Sequence, residues 1–437
     1  MQIPTLLRTL SLVSVLPLLT PSPVAAQAQS PSGPLAPILQ PYIDTHVAGG
    51  LVVLVADKHQ LLDLESLGYS SVKTKTPMAT DDLFWIASMS KPITATAFMM
   101  LVDEGKVNIS DPVEKYLPEF KGQMVVDEND TTHTPRPASH PITIREILSH
   151  TSGMIQENQL TKAQFAAHDE LDLKKVVADY AAVPLHRQPG TKYEYNNSGI
   201  NTAGRIIEVL SGMPYAEFMQ TRLFTPLGMK DTTFWPTEEQ GARLARSVKF
   251  TADKTNLEEI DNYGPNKAGI DSLMLRTLGS GTTVPASLLS DMGHGTIFTY
   301  QKHYAMPAGG LYSTAADLGK FCQMLLNGGT WDGKRYLSAN AIKQMTSVQT
   351  GNITPNPNYG QGWEIKPDPN GVPGANTFAH TGARRTRMWV DPTNQLVMIL
   401  LMERMDLPHQ DQDNLYNAFL KGAIQKYGKP APATTAN

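Results

Sequence analysis

A β-branched apolar run, Gly49-Gly50-Leu51-Val52-Val53-Leu54-Val55-Ala56, stops at Asp57-Lys58, and Leu61 to Tyr69 follows at hairpin distance. Strand-like runs return near the far end. Thr377 to Thr381, Thr386 to Asp391 and Gln395 to Met402 read as three strands, the last two joined by the turn Pro392-Thr393-Asn394. Between these ends the apolar period becomes helical. Ile93, Ala97, Met100 and Leu101 give a helix from Met89 a bulky face, with Pro92 near enough to its start that the missing N–H costs little. Other helical patterns cover Leu173 to Ala182, Gly199 to Ser211, Tyr215 to Leu223, Thr314 through Leu326, and 410–427. Thr143 followed three positions later by Glu146 reads as a capped helix start. Strands at both ends with helices between them predict an α+β chain: one antiparallel sheet built from N- and C-terminal strands and flanked by helices, plus an inserted mainly helical domain. The expected bounds are 35–105 and 355–430 for the sheet domain and 106–354 for the helical one. A polar loop at 121–141 and a Gly-, Asp- and Thr-rich segment at 235–305 resist division.

Composition adds limits. With 437 residues, 41% hydrophobic and 18% charged, the chain has material for an ample core, and a net charge of −4 gives no reason to expect nucleic acid or an anionic membrane as partner. Residues 1–28 differ in kind: Arg8 precedes an apolar run from Leu10 to Leu19, then Pro21, Pro23 and Val24-Ala25-Ala26-Gln27-Ala28. That pattern reads as a secretory signal cleaved after Ala26 or Ala28, and places the mature protein in the periplasm or outside the cell. An N-terminal anchor or a tail is the alternative. The single cysteine, Cys322, lies in the helical pattern Leu318-Phe321-Cys322-Leu325-Leu326 and reads as a core residue. No later apolar run approaches the ~18 residues that cross a bilayer, so no membrane span is expected after signal removal.

The first candidate for chemistry is Ser88-Met89-Ser90-Lys91, where a strand end runs into a helix. Three residues apart on a helix, the amine of Lys91 can reach the Ser88 hydroxyl and take its proton, provided burial and nearby positive charge favour the neutral amine. Free N–H groups at a helix start also favour an acyl oxygen that is gaining negative charge. A Ser-x-x-Lys alone is weak, since a second one runs from Ser70 to Lys73. A second motif, Tyr193-Glu194-Tyr195-Asn196-Asn197, sets Tyr195 two residues before Asn197 in a turn leading into a helix. A tyrosinate beside a lysine ammonium can relay a proton, although Tyr193 would fit the bare pattern as well. The third, His380-Thr381-Gly382-Ala383, lies on a strand that can supply a second oxyanion N–H, with glycine allowing substrate to approach.

Ser88-x-x-Lys91, Tyr195-x-Asn197 and His380-Thr381-Gly382, in this order, resemble the three motifs of the serine β-lactamase and penicillin-binding-protein superfamily. Leu148-Ser149-His150-Thr151-Ser152-Gly153, Ala308-Gly309-Gly310-Leu311-Tyr312-Ser313-Thr314, Tyr359-Gly360-Gln361-Gly362-Trp363 and Met388-Trp389-Val390-Asp391-Pro392 resemble its class C-like branch, and the similarity spans about residues 40–425. The resemblance implies a β-lactamase-like fold, an acyl-enzyme on Ser88 and no cofactor or metal. It implies that Lys91 activates Ser88, that Tyr195 relays the proton, that Asn197 bonds Lys91 and substrate, and that the N–H groups of Ser88 and Ala383 form the oxyanion hole. His380, Thr381 and Gly382 would line the substrate site.

Two departures bear on the substrate. Class C β-lactamases carry lysine where His380 stands, whereas histidine occurs in related D-amino-acid peptidases and esterases. Arg384-Arg385 follows Ala383, and these guanidiniums would either grip a substrate carboxylate or point to solvent. The expected protein is an exported serine hydrolase of small carboxylic esters. The alternatives are a D-amino-acid peptidase or weak β-lactamase acting on amide or cell-wall peptide substrates, an acyl transferase, and a non-catalytic wall-binding protein. Gly-x-Ser-x-Gly, His-Glu-x-x-His and Walker-type patterns do not occur in the sequence.

Overall fold

The computed structural model describes residues 33–127, 133–156, 172–260, 304–353, 358–365 and 372–429. The leader-like residues 1–28 and most of the irregular segment at 235–305 lie outside them. Seven strands form one antiparallel sheet: β1 (Gly50–Ala56), β2 (Leu61–Ser71), β3 (Thr76–Pro77), β4 (Glu364–Ile365), β5 (Phe378–Thr381), β6 (Arg387–Asp391) and β7 (Leu396–Met402). Their order across the sheet is β4-β5-β6-β7-β1-β2-β3, so the two ends of the chain meet at its centre, with Leu51 opposite Met402.

Both central strands are buried at every position. The reason is that each face of the sheet is covered. Val52, Leu54, Ile399 and Leu401 enter the large core, while Leu51, Val53, Met398 and Leu400 enter a second one. Side chains still alternate along each strand, but both sides are apolar, and the sequence therefore shows a continuous run. The second core is closed by α1 (Ala36–Asp44) and α5 (His409–Tyr427).

The helix that leads away from Ser88 is α2 (Ser90–Asp103), and every residue from Ser90 to Leu101 is buried. It packs against α3 (Ser198–Ser211), which follows the Tyr195-x-Asn197 turn. Thr143 and Glu146 form the expected capping box at the start of the helix Ile144–Leu148. The pattern at Tyr215 to Leu223 is an α-helix only to Met219, after which Gln220–Phe224 widens into a π-turn. The helix α4 (Ala315–Leu326) lies across β1, β6 and β7. Among the described residues no helix is long and apolar enough to cross a membrane.

Candidate active site

The segment before Ser88 is held at both flanks. Phe84–Trp85 pairs with Tyr312–Ser313, and Ile86 N–H donates to Leu311 O at 3.0 Å. The chain then turns sharply: Ala87, buried, adopts a left-handed φ of 45° and opens a 3-10 turn, Ala87–Met89, that runs into α2. Ser88 therefore sits on that turn, immediately before the α-helix rather than in its first turn. Ser88 on this turn and Lys91 in the first turn of α2 are three residues apart along continuous helical winding, which keeps them on one side. Ser88 is half-buried, and Lys91 is 0% exposed.

Lys91 Nζ has its directions fixed. It donates to Asn197 Oδ1 and to Ala308 O, both at 2.8 Å, and lies 3.1 Å from Ser88 Oγ. The first two partners can only accept, so the third tetrahedral position of the amine, whether N–H or lone pair, is aimed at the Ser88 hydroxyl. The Tyr195 phenol lies close enough to the same hydroxyl to interact with it, and Lys91 Nζ stands 4.7 Å from the centre of the Tyr195 ring. Burial raises the Tyr195 phenol well above its usual range, against the lowering effect of the interaction with Ser88. The shift favours the protonated phenol, opposite in direction to the lowering expected from a neighbouring lysine ammonium. Asn197 precedes α3, and its register is fixed by Asn196, whose N–H donates to His150 Nδ1 at 3.3 Å and whose Oδ1 accepts Gly199 N–H at 2.9 Å.

The third motif lies on β5 and the turn after it. His380 is buried, with Nδ1 3.0 Å from Thr381 O and Nε2 2.9 Å from the Tyr359 hydroxyl. The carbonyl accepts only, so Nδ1 carries the proton and Nε2 accepts from the phenol. Burial first, and the charge of Lys91 second, push the His380 pKa down to about 3. His150 moves in the same direction for the same reasons, its ring 4.5 Å from that of Tyr195 and 4.9 Å from that of Tyr359. Gly382 serves a close approach different from the one expected. A Cβ there would meet Ile86 O at 2.5 Å, so its smallness admits the turn that carries Ser88. Ala383, exposed, follows directly.

Arg384 does not point to solvent. It is 4% exposed, its guanidinium lies 5.2 Å from the Trp85 ring, and its Nε is 3.8 Å from Glu403 Oε2. Arg385 donates to Leu407 O at 3.2 Å. Sequence reasoning did not single out His150, Ala308, Tyr359 or Glu364 as site residues, although the first three lie in stretches that carried the resemblance. Glu364 on β4 pairs with Arg387 at 2.9 Å, and its charge adds to burial, the larger cause, in raising the phenol pKa of Tyr193, Tyr195 and Tyr359. Only its place on the edge strand brings it there.

A pH dependence follows from the two histidines. An unfolded histidine takes up a proton near its ordinary value of 6.5, whereas folded His380 refuses one until about 3. Stability from this source is complete above pH 6.5 and is lost as pH falls toward 3, because the unfolded state then binds more protons. His380→Gln is therefore expected to unfold at a urea midpoint that changes less between pH 7 and pH 5 than that of the parent. Equal slopes in the two proteins would show that His380 does not titrate this way.

The profile of the family described as Beta-lactamase matches residues 35–423. An uncharacterised protein of Mycobacterium tuberculosis is 29% identical over 388 residues, covering 82% of this chain and 87% of its own. A Salmonella agona protein named as a candidate D-alanyl-D-alanine carboxypeptidase is 24% identical over 401 residues, covering 88% and 85%. Among solved structures, EstCE1, titled a hydrolase with promiscuous acyltransferase activity, superposes with a TM-score of 0.69 at 22% identity over 88% of this chain and 97% of its own. The expected fold is the one found.

Proposed function

We propose, given that this chain belongs to the β-lactamase family, that it is a serine hydrolase acting through an acyl-enzyme on Ser88, with small neutral carboxylic esters as its preferred substrates. The observation that carries the reading is the convergence on one hydroxyl of the Lys91 amine, oriented by two pure acceptors, and the protonated Tyr195 phenol. Lys91 takes the Ser88 proton as the oxygen attacks the acyl carbon. The N–H groups of Ser88 and Ala383 receive the negative charge on the carbonyl oxygen. When the ester bond breaks, the Tyr195 phenol gives its proton to the departing alkoxide, and the Lys91 ammonium returns a proton to the phenolate. Water then repeats these steps on the acyl group and frees Ser88. An alcohol in place of water would give acyl transfer.

The charge around the third motif supports the ester preference. His380 is neutral across the physiological range, and Arg384 is turned to Glu403 and Trp85. A β-lactam or a peptide ending in D-alanine carries a carboxylate close to the scissile bond, and neither residue offers it a cation. The peptidase reading keeps support from the name of the Salmonella relative. The leader-like residues support export to the periplasm or beyond. Purified enzyme compared on p-nitrophenyl butyrate, nitrocefin and a D-Ala-D-Ala peptide is expected to show the highest kcat/KM on the ester, with a fluorophosphonate probe attached at Ser88 by mass spectrometry. A higher kcat/KM on the peptide transfers the assignment to the peptidase, and an unlabelled Ser88 ends the acyl-enzyme reading.

A further inference from the structure

The two segments that bring Ser88 and Ala383 together share a buried carboxylate. Glu403 directly follows β7 and is 5% exposed. Its Oε1 accepts Trp85 N–H at 3.0 Å, and its Oε2 accepts the Ser247 hydroxyl at 2.7 Å and lies 3.8 Å from Arg384 Nε. Trp85 is three residues before Ser88, and Arg384 is the residue after Ala383. The junction is closed on itself, since the Arg384 guanidinium lies over the Trp85 ring and the Trp85 indole donates to Gly309 O at 2.8 Å. Gly309 in turn follows Ala308, the carbonyl partner of Lys91. The backbone completes the tie, because Arg404 N–H donates to Arg384 O at 3.1 Å.

Stability does not explain this group. Burial pushes the Glu403 pKa up to about 7, with Arg384, Ser247 and Trp85 opposing the shift only in part. Replacing a buried ion pair by apolar side chains of similar volume is often neutral or stabilising. What the carboxylate does, and an apolar residue would not, is fix two otherwise separate pieces of chain against each other.

We propose that Glu403 is a positioning residue for acyl transfer: by holding the Trp85 backbone and Arg384 at once, it sets the separation of Ser88 and Ala383, whose N–H groups receive the oxyanion. The inference rests on the acyl-enzyme reading above. Glu403→Gln keeps an acceptor for Trp85 and removes the charge that draws Arg384, while Arg384→Met keeps the packing on Trp85 and removes the same attraction from the other side. Each variant is expected to lower both kcat on p-nitrophenyl butyrate and the rate of fluorophosphonate labelling at Ser88 by about 10-fold to 100-fold, the range for a small misplacement of catalytic groups. KM should stay near that of the parent, and the double variant should be no slower than either single one, because both break one link. Parental labelling rates in both variants, or losses that multiply in the double variant, overturn the proposal. So does a drop in thermal midpoint with unchanged kcat. Failure of the parent itself to label overturns the acyl-enzyme reading instead, which separates the two.

Discussion

Ser88→Ala, Lys91→Met and the double variant are expected to be equally inactive, each lowering kcat/KM on p-nitrophenyl butyrate by about 10⁴-fold or more, because nucleophile and base act as one unit. Ser88→Ala removes the atom proposed to be acylated. Lys91→Met leaves that atom in place, but the amine aimed at it is gone. Once either is lost, the other has no role, and the second substitution costs nothing further. Residual activity would come from the N–H groups of Ser88 and Ala383 alone. The folded state should tolerate Lys91→Met. Asn197 Oδ1 and Ala308 O lose a donor, while a fully buried amine is exchanged for an apolar chain of similar length. These effects oppose each other and leave a net change of about 1–2 kcal/mol in either direction. Steady-state kinetics with urea denaturation of all four proteins checks both parts. A double variant markedly slower than either single one would show that Ser88 and Lys91 work independently.

Gly382→Ala should damage stability and activity together. The added Cβ would stand 2.1 Å from Thr386 Oγ1 and 2.5 Å from Ile86 O. The hydroxyl can rotate away. The carbonyl cannot, because Ile86 is anchored through its own N–H to Leu311 O. Gly382 is not among the glycines with positive φ, so space alone, and not backbone conformation, demands a glycine. Strand β5 must therefore retreat from the turn that bears Ser88. The expected cost is about 1–3 kcal/mol of stability, and a fall in kcat of about 100-fold from separating the two oxyanion donors. Denaturant midpoints and ester kinetics would read both losses. A variant with parental kcat would mean that the third motif is not docked on residues 86–88 as described.

The sheet was legible from the sequence because apolar residues on both faces of β1 and β7 leave an unbroken apolar run whichever core each side chain enters. The nearness of Ser88 and Lys91 was legible for a local reason, their spacing. What could not be read depends on residues distant in sequence. Burial at Tyr195 is created by His150 and other side chains brought from elsewhere, and it reverses the direction of the phenol shift. The fate of Arg384 is decided by Trp85 and Glu403, neither of which carries a motif. The packing of α4 across β1, β6 and β7 does not follow from chain order.

The pairing of Leu51 with Met402 also governs how the molecule is made. Strand β1 emerges early from the ribosome, and its neighbour on the β7 side is supplied by nearly the last strand synthesised. Closing so long a loop is entropically costly and slow. Throughout synthesis the Leu51–Ala56 backbone offers one unpaired, wholly apolar edge, the kind of surface on which incomplete chains aggregate. Chains that stop short of residue 402 lack the strand that covers it and keep that apolar edge exposed.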